Sequence, residues 1–226
     1  MKSPGFSIFS LTLPMRAVKG TMYVQKRIIQ KASEYRLSRL IEKRVQNPSI
    51  RDEIDKRIWD LFGETWSIVF TDMVGFSRSV AKFGIVQFLE MIYHSHQLFL
   101  PVIDEFDGIL LKEHADSLMI LYRKPKNAVE SLREMNRKTK VYNENNDDLE
   151  KIHLCAGVGF GRILKIDSTD VFGAEVNAAS KLGEDTAKAG QILVTSAVYD
   201  SLHDQYSFEK IDYVPPGSDA AYLLKE

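Results

Sequence analysis

The stretch Ser67-Ile-Val-Phe-Thr-Asp-Met-Val-Gly-Phe-Ser77 decides how this chain is read. Ile68, Val69 and Phe70, flanked by Trp66 and Thr71, make a short apolar and β-branched run of the kind that forms a buried strand. The strand closes on Asp72. Gly75 then permits a sharp turn and the close approach of a ligand to the backbone, and Ser77 opens an amphipathic helical stretch. A carboxylate at a strand end, followed by backbone N–H groups at a helix start, can hold a divalent metal and the phosphates that accompany it. The same residues are equally a strand, an acidic turn residue and a capped helix. The segment alone leaves both readings open.

Two later segments bear on the choice. Leu110-Leu-Lys-Glu-His-Ala-Asp-Ser-Leu-Met-Ile-Leu-Tyr122 reads as strand, tight turn and strand, with Asp116 in the turn. Asp170-Val-Phe-Gly-Ala-Glu-Val-Asn-Ala-Ala-Ser-Lys181 reads as a turn running into a helix. Taken in order, the three resemble the class III nucleotidyl cyclase catalytic domain, the fold of adenylyl and guanylyl cyclases. That family has a strand ending F-x-D-[IM]-x-G-F, a K-x-x-G-D hairpin, and a D-x-[WF]-G-x-x-V-N-x-A-x-[RK] segment. The resemblance covers residues 64–226, and three ordered motifs are far more specific than any one.

The resemblance implies a site shared between two copies of the chain. Asp72 and Asp116, with the Met73 carbonyl, match the ligands of two divalent metal ions, magnesium or manganese. Gly75, Phe76 and Ser77 match the backbone that holds the β and γ phosphates. Lys112 and Asp170 match the pair that reads the base; a lysine donates to the adenine ring nitrogen and an aspartate accepts from its exocyclic amine, so ATP is the expected substrate. Asn177 matches the asparagine that orients the ribose, and Lys181 stands where the family has its transition-state arginine. Because the metal half and the base half come from different protomers, a homodimer is expected. Three departures accompany these matches. Lys181 lacks the planar fork of arginine, Ala115 replaces a glycine before Asp116, and Glu113 replaces a small neutral residue. The last hairpin offers no convincing phosphate-binding lysine: Tyr213–Tyr222 contains none, and Lys210, the nearest basic residue before that stretch, is not assigned. Two functions follow: an adenylyl cyclase making cyclic AMP and pyrophosphate, slowly, or a cyclase-homology module that binds nucleotide or dimerises without turnover.

Composition is ordinary for a globular protein, with 226 residues, 44% hydrophobic and 27% charged, and a net charge of −1 gives no electrostatic argument for nucleic acid. A glycine-rich Walker-type loop is absent from the sequence. The one cysteine, Cys155, lies in the apolar pattern Ile152–Val158 and reads as a small buried hydrophobe. A lone thiol forms no internal disulfide, which fits a reducing, cytoplasmic setting. No apolar run reaches the roughly 18–20 residues of a spanning helix. Residues 1–21 are expected to be a flexible tail; the apolar patch Phe6–Met15 lacks a cleavage site and is not read as a signal. Residues 22–63 read as a helical extension. Its first part, residues 22–46, carries seven Lys or Arg against two Glu, which suits either an anionic membrane surface or, more plainly, a solvated helix packed along one stripe. Asn47 and Pro48 are expected to start a second helix, stopped by Gly63.

Beyond β-strand Ser67–Thr71, a helix over 80–106 is expected to end near Pro101. His94 and His96, two apart, share no helix face and make a poor metal pair. A second helix is expected over 126–145, strands at 152–160 and 163–166 separated by Gly161, a helix at 175–185, a strand at 191–195, a short helix at 196–203, and a closing hairpin of 208–214 with 221–224. Helices between antiparallel strands imply an α+β sandwich with a ferredoxin-like β-α-β-β-α-β core, preceded by the helical extension.

Overall fold

The computed structural model describes residues 32–74, 84–147 and 151–225. The expectations placed on the tail 1–21, on residues 22–31 and on Gly75, Phe76 and Ser77 lie outside the described residues.

Two compact units divide the chain, Met1–Ile54 and Asp55–Glu226. In the first, helix α1 covers residues 32–46 and buries Leu40. Asn47 closes this helix and does not cap the next. Its side-chain amide donates to the Lys43 carbonyl at 3.1 Å, and it makes no cap bond to the 3-10 turn Pro48–Ile50. Helix α2 follows over Arg51–Phe62. Gly63 does end it, and is itself the first residue of β1, Gly63–Met73.

The second unit continues with α3 (Ile85–Glu105), β2 (Ile109–His114), β3 (Ser117–Tyr122), α4 (Pro125–Glu144), β4 (Leu154–Ile166) and β5 (Asp170–Phe172). It ends with α5 (Ala174–Gly183), β6 (Ile192–Thr195), α6 (Ser196–Leu202), β7 (Phe208–Ile211) and β8 (Ala221–Leu224). The strands form one sheet in the order β2-β3-β1-β4-β6-β8-β7, with β5 paired to β4. Its first half, β1-α3-β2-β3-α4-β4 with β1 between β3 and β4, is the expected ferredoxin-like core.

The middle of β1, Ile68 to Phe70, is apolar at consecutive positions because both faces of the strand are covered there. Trp66 to Thr71 are all buried. Val69 and Met73 enter a core with Leu118, Ile120 and Tyr122 of β3, Phe99 and Val102 of α3, and Val129, Leu132 and Met135 of α4. Trp66, Ile68 and Phe70 point the other way, into a smaller core with Leu121, Ile163, Val171, Val176 and Ala179. The alternation of side chains across a strand thus sends odd and even positions to different layers. Helices α3, α4 and α6 lie on one face, and α5 on the other.

Three local expectations need correction. Helix α3 does not stop at Pro101 but continues to Glu105. Phe99, Val102 and Ile103 are all buried on either side of the proline, and this packing outweighs the lost backbone bond. Gly161 does not separate two strands: β4 runs unbroken, and Gly161 pairs with Trp66. The segment at Asp170 is not only a turn, since Asp170–Phe172 form β5, pairing Asp170 with Ile166. Among the described residues no helix is long and apolar enough to cross a membrane.

Candidate active site

Asp72 is the next-to-last residue of β1, and Asp116 lies in the two-residue turn between β2 and β3. The antiparallel pairing of β1 with β3 brings the two together, with Thr71 opposite Leu118. Ser117 Oγ donates to Asp72 Oδ1 at 3.3 Å, and the Leu118 N–H donates to Thr71 Oγ1 at 3.1 Å, so the turn is tied to the strand end by side chains of both. The two carboxyls are close enough to hydrogen-bond each other, and the Met73 N–H faces both. Ala115, in the turn, has φ 52. That left-handed conformation suits a glycine, and an alanine holds it with strain of the order of 1 kcal/mol.

Burial raises both carboxyls above the usual carboxylate range. Asp116 is pushed up to about 6, first by desolvation and then by the charge of Asp72. Asp72 is raised by desolvation, with a smaller push from Asp185, against hydrogen bonds from Met73 and Ser117. Two half-buried oxygen donors that resist carrying charge together are the donor set a hard divalent cation suits. No cluster of three or more His, Cys, Asp or Glu placed for a metal occurs among the described residues.

Lys112 and Asp170 are far apart in sequence, yet Lys112 Nζ lies 2.8 Å from Asp170 Oδ2. Lys112 is on β2, just after the irregularity between Leu110 and Lys112, and Asp170 opens β5. Both side chains remain partly exposed. Glu113 does not turn toward this pair. Its carboxylate is 3.5 Å from His96 Nε2 on α3, while His94 faces Glu90.

Helix α5 carries Asn177 and Lys181, both exposed. Lys181 Nζ is bound to Asp185 Oδ2 at 2.5 Å, one helical turn on, and that carboxylate holds the ammonium above its usual range. The helix lies directly on β4. A Cβ at Gly157 would stand 2.1 Å from the Ala179 carbonyl, and one at Gly183 would stand 2.5 Å from the Phe70 carbonyl. Cys155, beneath this contact, is buried; its Sγ donates to the carbonyls of Gly183 and Asp72 at 3.3 and 3.5 Å, and burial pushes the thiol up to about 12.

Ser117, Asp185 and Glu175 reach this region without having been singled out from sequence. Asp185 had a usable signal, an acid four residues after a lysine on one helix face. Glu175 had another, an acid in the first turn of a helix after Gly173.

The adenylate and guanylate cyclase catalytic domain family matches residues 63–220, and the chain belongs to that family. Among solved structures it is similar to an adenylate/guanylate cyclase/hydrolase from Silicibacter pomeroyi, at 20% identity and a TM-score of 0.63, covering 73% of this chain and 98% of that one. It is also similar to the adenylyl cyclase CyaB from P. aeruginosa, at 15% identity and a TM-score of 0.58, covering 73% and 95%. At these identities the likeness is one of fold. A curated relative, the serine/threonine-protein kinase pkn2 of Myxococcus xanthus, is 22% identical over 132 residues. The match covers 58% of this chain and spans 16% of that kinase's length.

Proposed function

We propose that the chain is an adenylyl cyclase that converts ATP to cyclic AMP and pyrophosphate at composite sites of a homodimer. The observation that carries this reading is the Asp72–Asp116 carboxyl pair at the end of β1. In the reaction the ribose 3′ oxygen bonds to the α-phosphorus, the bond from that phosphorus to pyrophosphate breaks, and the hydroxyl proton is lost. Divalent magnesium or manganese, held by Asp72, Asp116 and the Met73 carbonyl, would acidify that hydroxyl and neutralise the triphosphate. Gly75, Phe76 and Ser77 would hold the terminal phosphates by their backbone. Asn177 would orient the ribose, and Lys181 would place positive charge where the pyrophosphate leaves.

The Lys112–Asp170 contact supports adenine as the base. In the free chain donor and acceptor satisfy each other, and an exposed pair of this kind contributes about 1 kcal/mol or less. Exchanging it for the ring nitrogen and exocyclic amine of adenine therefore costs little. ATP is expected to exceed GTP in kcat/KM by about tenfold or more, and replacing both Lys112 and Asp170 by Ala should bring the two nucleotides close together. Equal use of ATP and GTP by the native chain would remove this assignment.

A second reading, a nucleotide-binding or dimerising module without turnover, is favoured by one observation. Lys181 is engaged by Asp185, just past the C-terminal end of α5, and a lysine there is a weaker phosphate partner than arginine. Incubation of the purified chain with ATP and manganese, followed by detection of cyclic AMP, separates the two. Mixing Asp72→Ala with Asn177→Ala tests the shared site. Each variant alone should be inactive, while a random mixture should recover about a quarter of the native rate, because half of the dimers are mixed and each mixed dimer has one intact site. No recovery, from variants shown to exchange subunits, would count against a composite site.

A further inference from the structure

Helix α5 is fastened to the sheet at its first turn by one half-buried carboxylate. Glu175 Oε2 accepts the Phe160 N–H at 3.0 Å and the Thr195 hydroxyl at 2.7 Å. Both donors lie where the sheet is incomplete. Strand β4 pairs with β6 only at Ala156 to Val158, and with β5 only from Leu164 onward. Phe160 falls in the interval between, where no strand supplies an acceptor on that edge, and the Glu175 carboxylate takes its N–H. Thr195, the last residue of β6, is fully buried. One oxygen therefore joins α5 to two strands at the point where they diverge.

The glycines of β4 make room for this arrangement. A Cβ at Gly159 would stand 2.5 Å from the Glu175 carbonyl and 3.0 Å from its Oε2, and one at Gly161 would stand 3.0 Å from Glu175 Cγ. The side chain consequently lies flat on the strand. Burying a carboxylate is unfavourable unless it is hydrogen-bonded, and desolvation does raise this one against its two donors. An apolar residue would fill the space at lower cost, but it would not fix a direction.

Direction matters because of what α5 carries. At about 100° per residue, Asn177 lies about 200° around the helix from Glu175, and Lys181 about 240°. Holding Glu175 against the sheet turns both of them to the opposite, exposed face. We infer that Glu175 is a positioning residue for nucleotide cyclisation: it sets the height and rotation of α5 on the sheet, and so the places of Asn177 and Lys181. This inference rests on the cyclase reading above. The hydrogen bonds of Glu175 go to the sheet, so it would act through the helix.

The test compares full-length native chain, Glu175→Ala and Glu175→Gln for cyclic AMP formation at saturating manganese, with kcat and KM measured separately. Glutamine keeps an acceptor oxygen for Phe160 and Thr195, whereas alanine keeps none. Misplacing a group by about 1 Å costs up to about a hundredfold in rate, so Glu175→Ala should lose about ten- to a hundredfold in kcat with KM changed by less than about threefold. Glu175→Gln should recover most of the loss. Should Glu175→Ala fail to fold, Thr195→Val removes one donor only and is expected to lower kcat several-fold with KM unmoved. An unchanged kcat in Glu175→Ala, a KM change as large as the kcat change, or a Gln variant as impaired as Ala would overturn the inference, as would an unchanged kcat in Thr195→Val if Ala does not fold. A native chain that forms no cyclic nucleotide would overturn the cyclase reading and this inference with it. Turnover by the native chain with kcat preserved in Glu175→Ala would overturn this inference alone.

Discussion

If the proposed site holds, Asp72→Asn and Asp116→Asn, each made alone, are expected to lower cyclic AMP formation roughly a thousandfold or more, because several kcal/mol of transition-state stabilisation would depend on the ions these carboxylates would hold. The fold should survive, and the metal-free variants should be no less stable than the native chain near neutral pH. The native pair is the reason. Asp116 is raised from 3.8 to about 6 by burial and by its neighbour's charge, and Asp72 is also raised. A carboxyl with a folded pKa above its unfolded one contributes stability that is complete below the unfolded value and is lost as pH rises through the folded value. For Asp116 the loss runs from about pH 4 to about 6, and Asp72 adds a loss of the same sign. The native thermal midpoint in chelator should therefore fall across that window by more than it does in either Asn variant. Manganese at pH 7.5 should raise the native midpoint and leave the variants nearly unmoved, since binding requires both carboxylates in their charged form. Equal stabilisation of all three proteins by manganese would place the metal elsewhere.

Much of the fold was legible because single elements carried unambiguous local patterns. Strand β1 was readable from Ile68 to Phe70, with Trp66 and Thr71 flanking, because it is buried on both faces there, which produces consecutive apolar residues. The β2–β3 hairpin was readable from the alternation around Ala115 and Asp116. The misreadings came where a residue's local habit was overruled by something distant. Pro101 usually ends a helix, but here Phe99, Val102 and Ile103 are bound into the core across it. Gly161 usually marks a break, but its lack of a side chain serves the seating of Glu175. Strand β5 has three residues, too few for any period to show. At the site, motif order placed Asp72, Asp116, Lys112, Asp170, Asn177 and Lys181 as candidates. The structure adds that Lys112 meets Asp170 and that Asp72 faces Asp116. Glu175 and Ser117 stayed hidden because their roles arise from contacts with strands remote in the chain, which no spacing rule encodes. Asp185 was overlooked although its spacing from Lys181 was plain.

The second large effect is expected at Gly157, where the smaller layer has no depth to spare. Its missing Cβ would stand 2.1 Å from the Ala179 carbonyl oxygen and 2.4 Å from the Gly183 nitrogen. Both neighbours are backbone, so no rotamer change relieves the clash, and either α5 must lift or β4 must bow. Gly183 is equally constrained from the other side, against the Phe70 carbonyl at 2.5 Å and the Gly157 nitrogen at 2.7 Å. At Gly157 and Gly183 the helix, β4 and β1 at Phe70 therefore approach one another backbone to backbone. Overpacking of this kind costs about 1–3 kcal/mol and occasionally more. With no side chain to yield, Gly157→Ala should reach about 3 kcal/mol, which in a chain of this size lowers the thermal midpoint by about 6–12 °C. Gly190→Ala is the comparison. It has φ 77 and nothing within 4 Å of the added carbon, so it suffers only left-handed strain of about 1–2 kcal/mol. Catalysis should separate them further. Measured well below either midpoint, Gly157→Ala should lose kcat because α5 carries Asn177 and Lys181, while Gly190→Ala should keep it. A Gly157→Ala protein as stable and as active as Gly190→Ala would show that α5 does not sit on β4 as closely as these contacts require.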